Sequence, residues 1–252
     1  MCTINDIIMY FETFAPLSTA MEFDNCGLLV GNENTKISKV LLALDITKSV
    51  VLEAEKLGCQ LIISHHPVIF SPVKKLDTCS IPYLLASKGI SALCMHTNLD
   101  LGTEFGVNIC LANAIGVKNP EISEFGECLF CGELSDETDI DTFAKTVKSA
   151  LDCNGLRYTN TRNKIKKVAV SSGSGGGNVY SAFKAGADVL VIGEIKHHEI
   201  NTANELGLSI IDVGHFKSED IVILPLRNKL SEQFPQIEFT KSHSYSDNIK
   251  YI

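Results

Sequence analysis

KVLLALDITKSVVLEAEKLGCQLIISHHP, running from Lys39 to Pro67, is the stretch on which the fold turns. Its first six residues form an apolar run of strand length, and Ser49 to Leu57 carry apolar residues at helical spacing. Gly58 is a helix stop, and Leu61 to Ile63 make a second apolar run. The stretch therefore reads as strand, helix, strand. Two neighbouring strands joined through a helix run parallel, because a tight hairpin can join only antiparallel ones.

The pattern recurs in KVAVSSGSGGGNVYSAFKAGADVLVIGE, Lys167 to Glu194. At a constant offset of 128, Lys39 falls on Lys167, Val40 on Val168, Ala54 on Ala182, Gly58 on Gly186, Leu61 on Val189 and Ile63 on Val191. The next segment also has a counterpart, KGISAL (Lys88–Leu93) against LGLSII (Leu206–Ile211), at an offset of 118. The expected architecture is α/β: two similar three-layer α/β domains produced by internal duplication, each with parallel central strands. The acidic stretch Glu121–Thr146, with a strand expected at Gly126–Leu134, sets the expected division. It gives a first domain of 1–127, completed by 220–252, and a second of 128–219. Asp220–Leu230 reads as a helix and Ile237–Thr240 as a strand, both returning to the first half.

Composition excludes several function classes. The 252 residues are 45% apolar and can bury a core without disulfides. Thirty acidic residues against 22 basic ones give a net charge of -8, which opposes phosphate backbones and anionic membranes, so nucleic acid is not an expected partner. Nine scattered cysteines, an odd number, fit free thiols in a reducing cytoplasm. Met1–Leu29 holds acidic residues and no basic one, unlike a secretory leader, and no apolar run is long enough to span a membrane.

The polar clusters sit just after the expected strands, where open α/β sheets bind ligands. They are Ser64-His65-His66-Pro67, then His96-Thr97-Asn98-Leu99-Asp100, then Glu194 to Glu199, and finally Asp212 to Glu219. Imidazoles mixed with carboxylates suit zinc, manganese or iron. A lone His-His pair would read as a hydrogen-bonded pair in a core; its company at other strand ends favours a metal site. Pro67 biases His66 toward extended backbone, so His65 and His66 point apart and suit two neighbouring ions better than one. His215 and Glu219, four apart, share a face of a helical turn. Glu219 is the natural bridge, since a carboxylate can span two ions roughly 3.5–4 Å apart.

Other features read more plainly. His197 and His198 fit either helix-start or buried hydrogen-bonding positions, or contact with substrate. His243 reads as solvated, and Asp45 as a helix N-terminal charge in preference to an orienting partner for a histidine. The loop Ser171–Gly177 lacks the lysine of a P-loop and fits a close-packed turn at least as well as an anion cradle. Cys128 and Cys131 lack a second ligand pair. The basic run Arg157, Arg162, Lys164, Lys166 and Lys167 reads as a solvated loop leading into a strand.

Taken in order, FDNCGLLVG (Phe23–Gly31), SHHPVIF (Ser64–Phe70), HTNLD (His96–Asp100), SGSGGG (Ser172–Gly177) and GHFKSE (Gly214–Glu219) resemble the Nif-three-like family, the GTP cyclohydrolase 1 type 2 homologues. The resemblance spans nearly the whole chain. It implies a dinuclear metal site between two α/β domains and a homohexameric toroid whose sites face an internal cavity. By the same resemblance His66 and Asp100 would hold one ion, His65 and His215 the other, and Glu219 both. Many relatives carry Trp where this chain has Phe23 and Leu99, yet every implied ligand is present. The function expected is a metal-dependent hydrolase acting on a small polar or phosphorylated substrate, with Glu219 and His96 in catalytic roles and His96 positioning substrate or carrying a proton. GTP ring opening is one candidate reaction. The competing reading is a metal-stabilised binding or regulatory assembly without turnover.

Overall fold

The computed structural model describes residues 2–161 and 164–252; Arg162 of the basic run lies outside them. In chain order the first elements are α1 (Ile4–Phe11), β1 (Gly27–Val30), β2 (Lys39–Ala43), α2 (Lys48–Leu57), β3 (Leu61–Ser64), α3 (Ile81–Lys88) and β4 (Ser91–Cys94). Next come α4 (Thr97–Asp100), α5 (Val107–Ala114), β5 (Lys118–Ile122), β6 (Phe130–Thr138), α6 (Ile140–Ala150) and β7 (Arg157–Tyr158). The remainder are β8 (Ile165–Ser171), α7 (Val179–Lys184), β9 (Val189–Ile192), α8 (His197–Leu206), β10 (Ser209–Asp212), α9 (His215–Glu219), α10 (Ile223–Gln233) and β11 (Glu238–Lys241).

Two compact units result, Met1–Leu99 with Ile223–Ser246, and Asp100–Val222 with Asp247–Ile252. The first holds a sheet of order β1-β4-β3-β2-β11, the second a sheet of order β5-β6-β8-β9-β10-β7. In each, three parallel strands form the centre, β2-β3-β4 and β8-β9-β10. The internal repeat extends to the pairing register. Val40 pairs with Leu61 and Leu42 with Ile63, while Val168 pairs with Val189 and Val170 with Val191. Leu61 pairs with Ser91, and Val189 with Ser209. The sequence offsets of 128 and 118 are therefore the offsets of the hydrogen-bond ladders too.

Both central sheets are covered on two faces, and for that reason their strands are unbroken apolar runs. In the first unit Leu41, Ala43, Ile62 and Ala92 pack under Val50, Val51 and Ala54 of α2 and Leu85 of α3. On the other side α10 lies on β2 and β11, and Tyr10 of α1 meets Phe234 edge-on at 5.5 Å. In the second unit Phe130, Val168, Val170 and Val191 pack with α5 and α6, whereas Ala169, Leu190 and Ile192 pack with Val179, Ala182 and Ala203 of α7 and α8. Thr47 caps α2 by accepting from the Val50 N–H, and Gly58 ends it at φ 72°.

The division falls at Leu99–Asp100, whereas the acidic stretch suggested 127–128. The reason is α5, whose Ile109, Leu111 and Ala112 join the core built on β6 and β8. The acidic stretch is not a linker: β6 begins at Phe130, later than the expected Gly126, and is an inner strand between β5 and β8. The return of the chain end is observed, with β11 pairing parallel to β2. All nine cysteines are free thiols, and burial pushes Cys59 up to about 11 and Cys110 up to about 12. Among the described residues no helix is long and apolar enough to cross a membrane.

Glu53 on α2 secures the segment after β11, accepting from Ser242 Oγ, His243 N and Ser244 N. Burial raises its carboxyl, but these three donors outweigh that and hold it below the ordinary glutamate value. A depressed native value stabilises the fold above the unfolded value, near 4.3, and this contribution disappears as pH falls through the native one. Glu53→Gln is expected to cost about 1 kcal/mol at neutral pH. In urea titrations the variant and wild type should converge as pH drops below about 4.

Candidate metal centre

In the first unit the strand ends β3 and β4 deliver three histidines to one place. One ligand atom from each of His65, His66 and His96 lies within 4.8 Å of the others. The ring centroids are 5.1 Å apart for His65–His66 and for His65–His96, and 5.5 Å for His66–His96. His65 and His66 thus converge on a common cluster instead of pointing apart, and His96 joins them. A group of imidazoles this close could hold a metal ion.

Each ring is gripped at Nδ1. His65 Nδ1 meets the Met95 carbonyl at 3.0 Å, His66 Nδ1 meets Asp45 Oδ1 at 2.9 Å, and His96 Nδ1 meets Asp24 Oδ1 at 2.8 Å. An acceptor at Nδ1 fixes the tautomer with its proton there, so Nε2 is the nitrogen that could offer a lone pair to a metal ion. Asp45 is consequently an orienting partner of His66, not the helix N-terminal charge expected for it. It is itself held by the Tyr245 hydroxyl.

Asp24 went unassigned in the sequence, although its motif FDNCG was visible. Its side chain is fully buried and accepts from His96, from the Thr97 N–H at 3.0 Å, from the Thr97 hydroxyl at 2.5 Å and from Cys26 Sγ at 3.0 Å. Burial pushes this carboxyl up, and the hydrogen bonds from His96, Thr97 and Cys26 more than reverse it, leaving Asp24 ionised far below the usual carboxylate range. The partner lies 72 residues away from His96, a separation that no local pattern reveals.

The second unit repeats the arrangement at its own strand ends. His215 and Glu219, at the two ends of α9, bring Nε2 and Oε2 to 3.0 Å, as their spacing of four predicted. His215 Nδ1 meets Glu194 Oε1 at 3.0 Å. Glu194 stands just after β9, and that strand-end position was its only signal in the sequence. Asp100 Oδ1 accepts from Ser172 Oγ at 3.4 Å, and its carbonyl accepts from Asn108 Nδ2 at 3.1 Å. Asp100 is 8% exposed and Glu219 4%. Burial of carboxylates is costly without compensating charge, and a divalent cation suits this donor set.

The Gly-rich loop is a close-packed turn. A Cβ at Gly173 would stand 2.2 Å from Glu219 Oε1, and one at Gly176 would stand 2.2 Å from Glu199 Oε2. The loop wraps carboxylates, so it is no cradle for an anion. His197 and His198 are exposed in the first turn of α8, and His243 is exposed. Arg157 leaves the expected loop, because β7 pairs with β10 and its guanidinium contacts Asp212.

A family model described as Duf34/NIF3 (NGG1p interacting factor 3) matches residues 2–248. The chain belongs to the Duf34/NIF3 family. A Clostridium perfringens "GTP cyclohydrolase 1 type 2 homolog" is 36% identical, with 99% of each chain covered. The Helicobacter pylori protein named "GTP cyclohydrolase 1 type 2" is 31% identical over 87% of this chain and 88% of that one. Among solved structures, a Staphylococcus aureus hypothetical protein superposes with a TM-score of 0.91 at 31% identity, covering 99% of both chains. These likenesses extend over both units of the Duf34/NIF3 fold.

Gly173 sits at φ 58°, where a side chain costs roughly 1–2 kcal/mol before any contact is counted. Gly173→Ala would also drive a methyl group into Glu219. The expected result is a folded protein, destabilised by more than the roughly 1–2 kcal/mol of the backbone alone, whose bound metal by elemental analysis falls well below wild type. Full metal content in this variant would contradict a ligand role for Glu219.

Proposed function

We propose that the chain is a metal-dependent hydrolase acting on a small polar or phosphorylated substrate. Two divalent ions of the zinc, manganese or iron kind are held by His65, His66, Asp100, His215 and Glu219. The observation that carries this reading is the grip on three imidazoles, His65, His66 and His215. In each, Nδ1 is tied to a carboxylate or carbonyl, the arrangement that prepares Nε2 for a metal. Such ions supply an activated water and stabilise developing negative charge.

The chain's own residues do the rest. Asp24 holds His96 at Nδ1 and so orients the ring, and Nε2 is the atom through which His96 would pass a proton to a leaving group. Glu219, whose carboxylate is kept in place by its close approach to Gly173, would be the residue to contribute to both ions. Ser172 Oγ steadies Asp100. The names of the relatives make GTP ring opening one reaction to test, and the family resemblance supports a cytoplasmic homohexamer, which light scattering measures directly.

Elemental analysis is expected to find two metal ions per chain, and chelation should lower Tm. Glu219→Gln should lose metal and turnover together. His96→Asn should keep both ions and lose at least a hundredfold in kcat, in line with the worth of a general acid. Screening GTP, other nucleotides, phosphoesters and small amides tests turnover. Two ions per chain with no turnover on any of these would favour the non-catalytic binding assembly, and no metal even after reconstitution would end both readings.

A further inference from the structure

The second unit contains a cavity of about 730 Å³, walled by Leu156, Arg157, Lys196, Asp212, His215 and Tyr251 among others. Small-molecule sites span roughly 300–1,000 Å³, so this volume suits a ligand much larger than an inorganic ion. The question is which charge such a ligand would carry, since the wall holds groups of both signs.

Its carboxylates are engaged by the protein. Glu194 takes His215 Nδ1 on Oε1 and the Ser174 hydroxyl on Oε2, both at 3.0 Å. Glu199 accepts the Lys196 N–H at 2.7 Å, and the same oxygen lies against Gly176. Asp212 accepts the Gly214 N–H at 3.1 Å on Oδ1 and Arg157 on Oδ2. The cations differ. Arg157 touches Asp212 through Nη2 alone, its side chain is 70% exposed, and its other guanidinium donors meet no acceptor among the described residues. Lys196 is exposed, and no ion pair engages its ammonium among the described residues. The groups with donor capacity left for an anionic ligand are thus Lys196 and the outward donors of Arg157. Leu156, Ile249 and the Tyr251 ring give the same cavity an apolar wall, the ring seated where a Cβ on Gly155 would stand 2.5 Å from it.

We propose that this cavity binds a phosphate monoester carrying a planar or apolar group, with the phosphate on Lys196 and Arg157 and the ring against Tyr251 and Ile249. Guanidinium and ammonium groups are the usual receivers of phosphate oxygens. His215 is a shared wall, so the ligand would lie beside the proposed metal position. Its description as a substrate rests on the hydrolase reading, but its binding does not.

Calorimetry on metal-stripped wild type tests binding alone, with GMP and phenyl phosphate as probes and guanosine, phenol and inorganic phosphate as their separated halves. At least one of the two esters should bind at one per chain, and its halves should each bind at least tenfold more weakly. Lys196→Gln, an exposed change that leaves the Glu199 bond to backbone N–H in place, should weaken the ester about tenfold without moving the unfolding midpoint. Tyr251→Ala should weaken the ester and leave inorganic phosphate unchanged. If neither ester binds, or if guanosine or phenol binds as tightly as its ester, or if Lys196→Gln has no effect, the proposal is overturned. Because metal content is measured separately, failure here leaves the hydrolase reading standing, and loss of metal binding leaves this result readable.

Discussion

Parallel pairing is the constraint on which everything else in the molecule depends. Three strands that run the same way, in register, all end on one side of their sheet. Leu42 beside Ile63 beside Leu93 brings Ala43, Ser64 and Cys94 to a common edge, and the chain leaves that edge through Asp45, His65 and His96. Val170, Val191 and Ile211 do the same in the second unit, where the chain leaves through Ser172, Gly193 and Val213. Polar side chains from segments dozens of residues apart become neighbours because the ladders stop together. The apolar runs that force the strands inward thereby determine where the imidazoles go.

Placing polar groups at such an edge does not by itself make a site, because buried imidazoles and carboxylates would otherwise rotate, pair with each other or draw in water. The structure prevents this with hydrogen bonds directed at the atoms that do not ligate. Asp24 is the extreme case: besides His96 it receives four donors, the Asn25 and Thr97 N–H groups, the Thr97 hydroxyl and Cys26 Sγ, which fix its carboxylate against the imidazole. Asp45 is held by Tyr245 and Glu194 by Ser174 in the same way. Such supports turn flexible side chains into a fixed donor array, which lowers the ordering cost when an ion binds.

Much of this was legible in the sequence, and what was not has a physical reason. The two βαβ cores, their offsets and the returning β11 were readable because apolar periodicity is local and the duplication preserved it. His65, His66, His215 and Glu219 were readable because adjacency and a spacing of four are local as well. Asp24, Asp45 and Glu194 were harder, since their partners are 72, 21 and 21 residues away and an acid at a strand end or in a loop resembles any solvated charge. Asp45 shows the error well: a carboxylate ahead of α2 has a good local explanation, and only the tertiary contact to His66 overrules it. The unit division at Leu99 was invisible for a related reason. The chain changes cores within a continuous motif, and hydrophobic spacing does not say which core an apolar face joins.

The Gly-rich loop carries the argument one step further. Glycines between a strand and a helix are commonly read as an anion cradle, and that reading needs exposed N–H groups with room in front of them. Here the room is filled. Glu219 presses on Gly173, Glu199 on Gly176 and Ser171 Oγ on Gly175, each nearer than any Cβ would permit. Glycine is required because carboxylates approach the backbone, which is the opposite electrostatic arrangement. A loop that gathers negative side chains strengthens a cation site around Glu219 and works against a phosphate at its own turn. A phosphate in the neighbouring cavity, whose wall includes Ser174, Gly176 and Gly177 of this loop, therefore depends on the side chains of Arg157 and Lys196 and not on the loop's N–H groups.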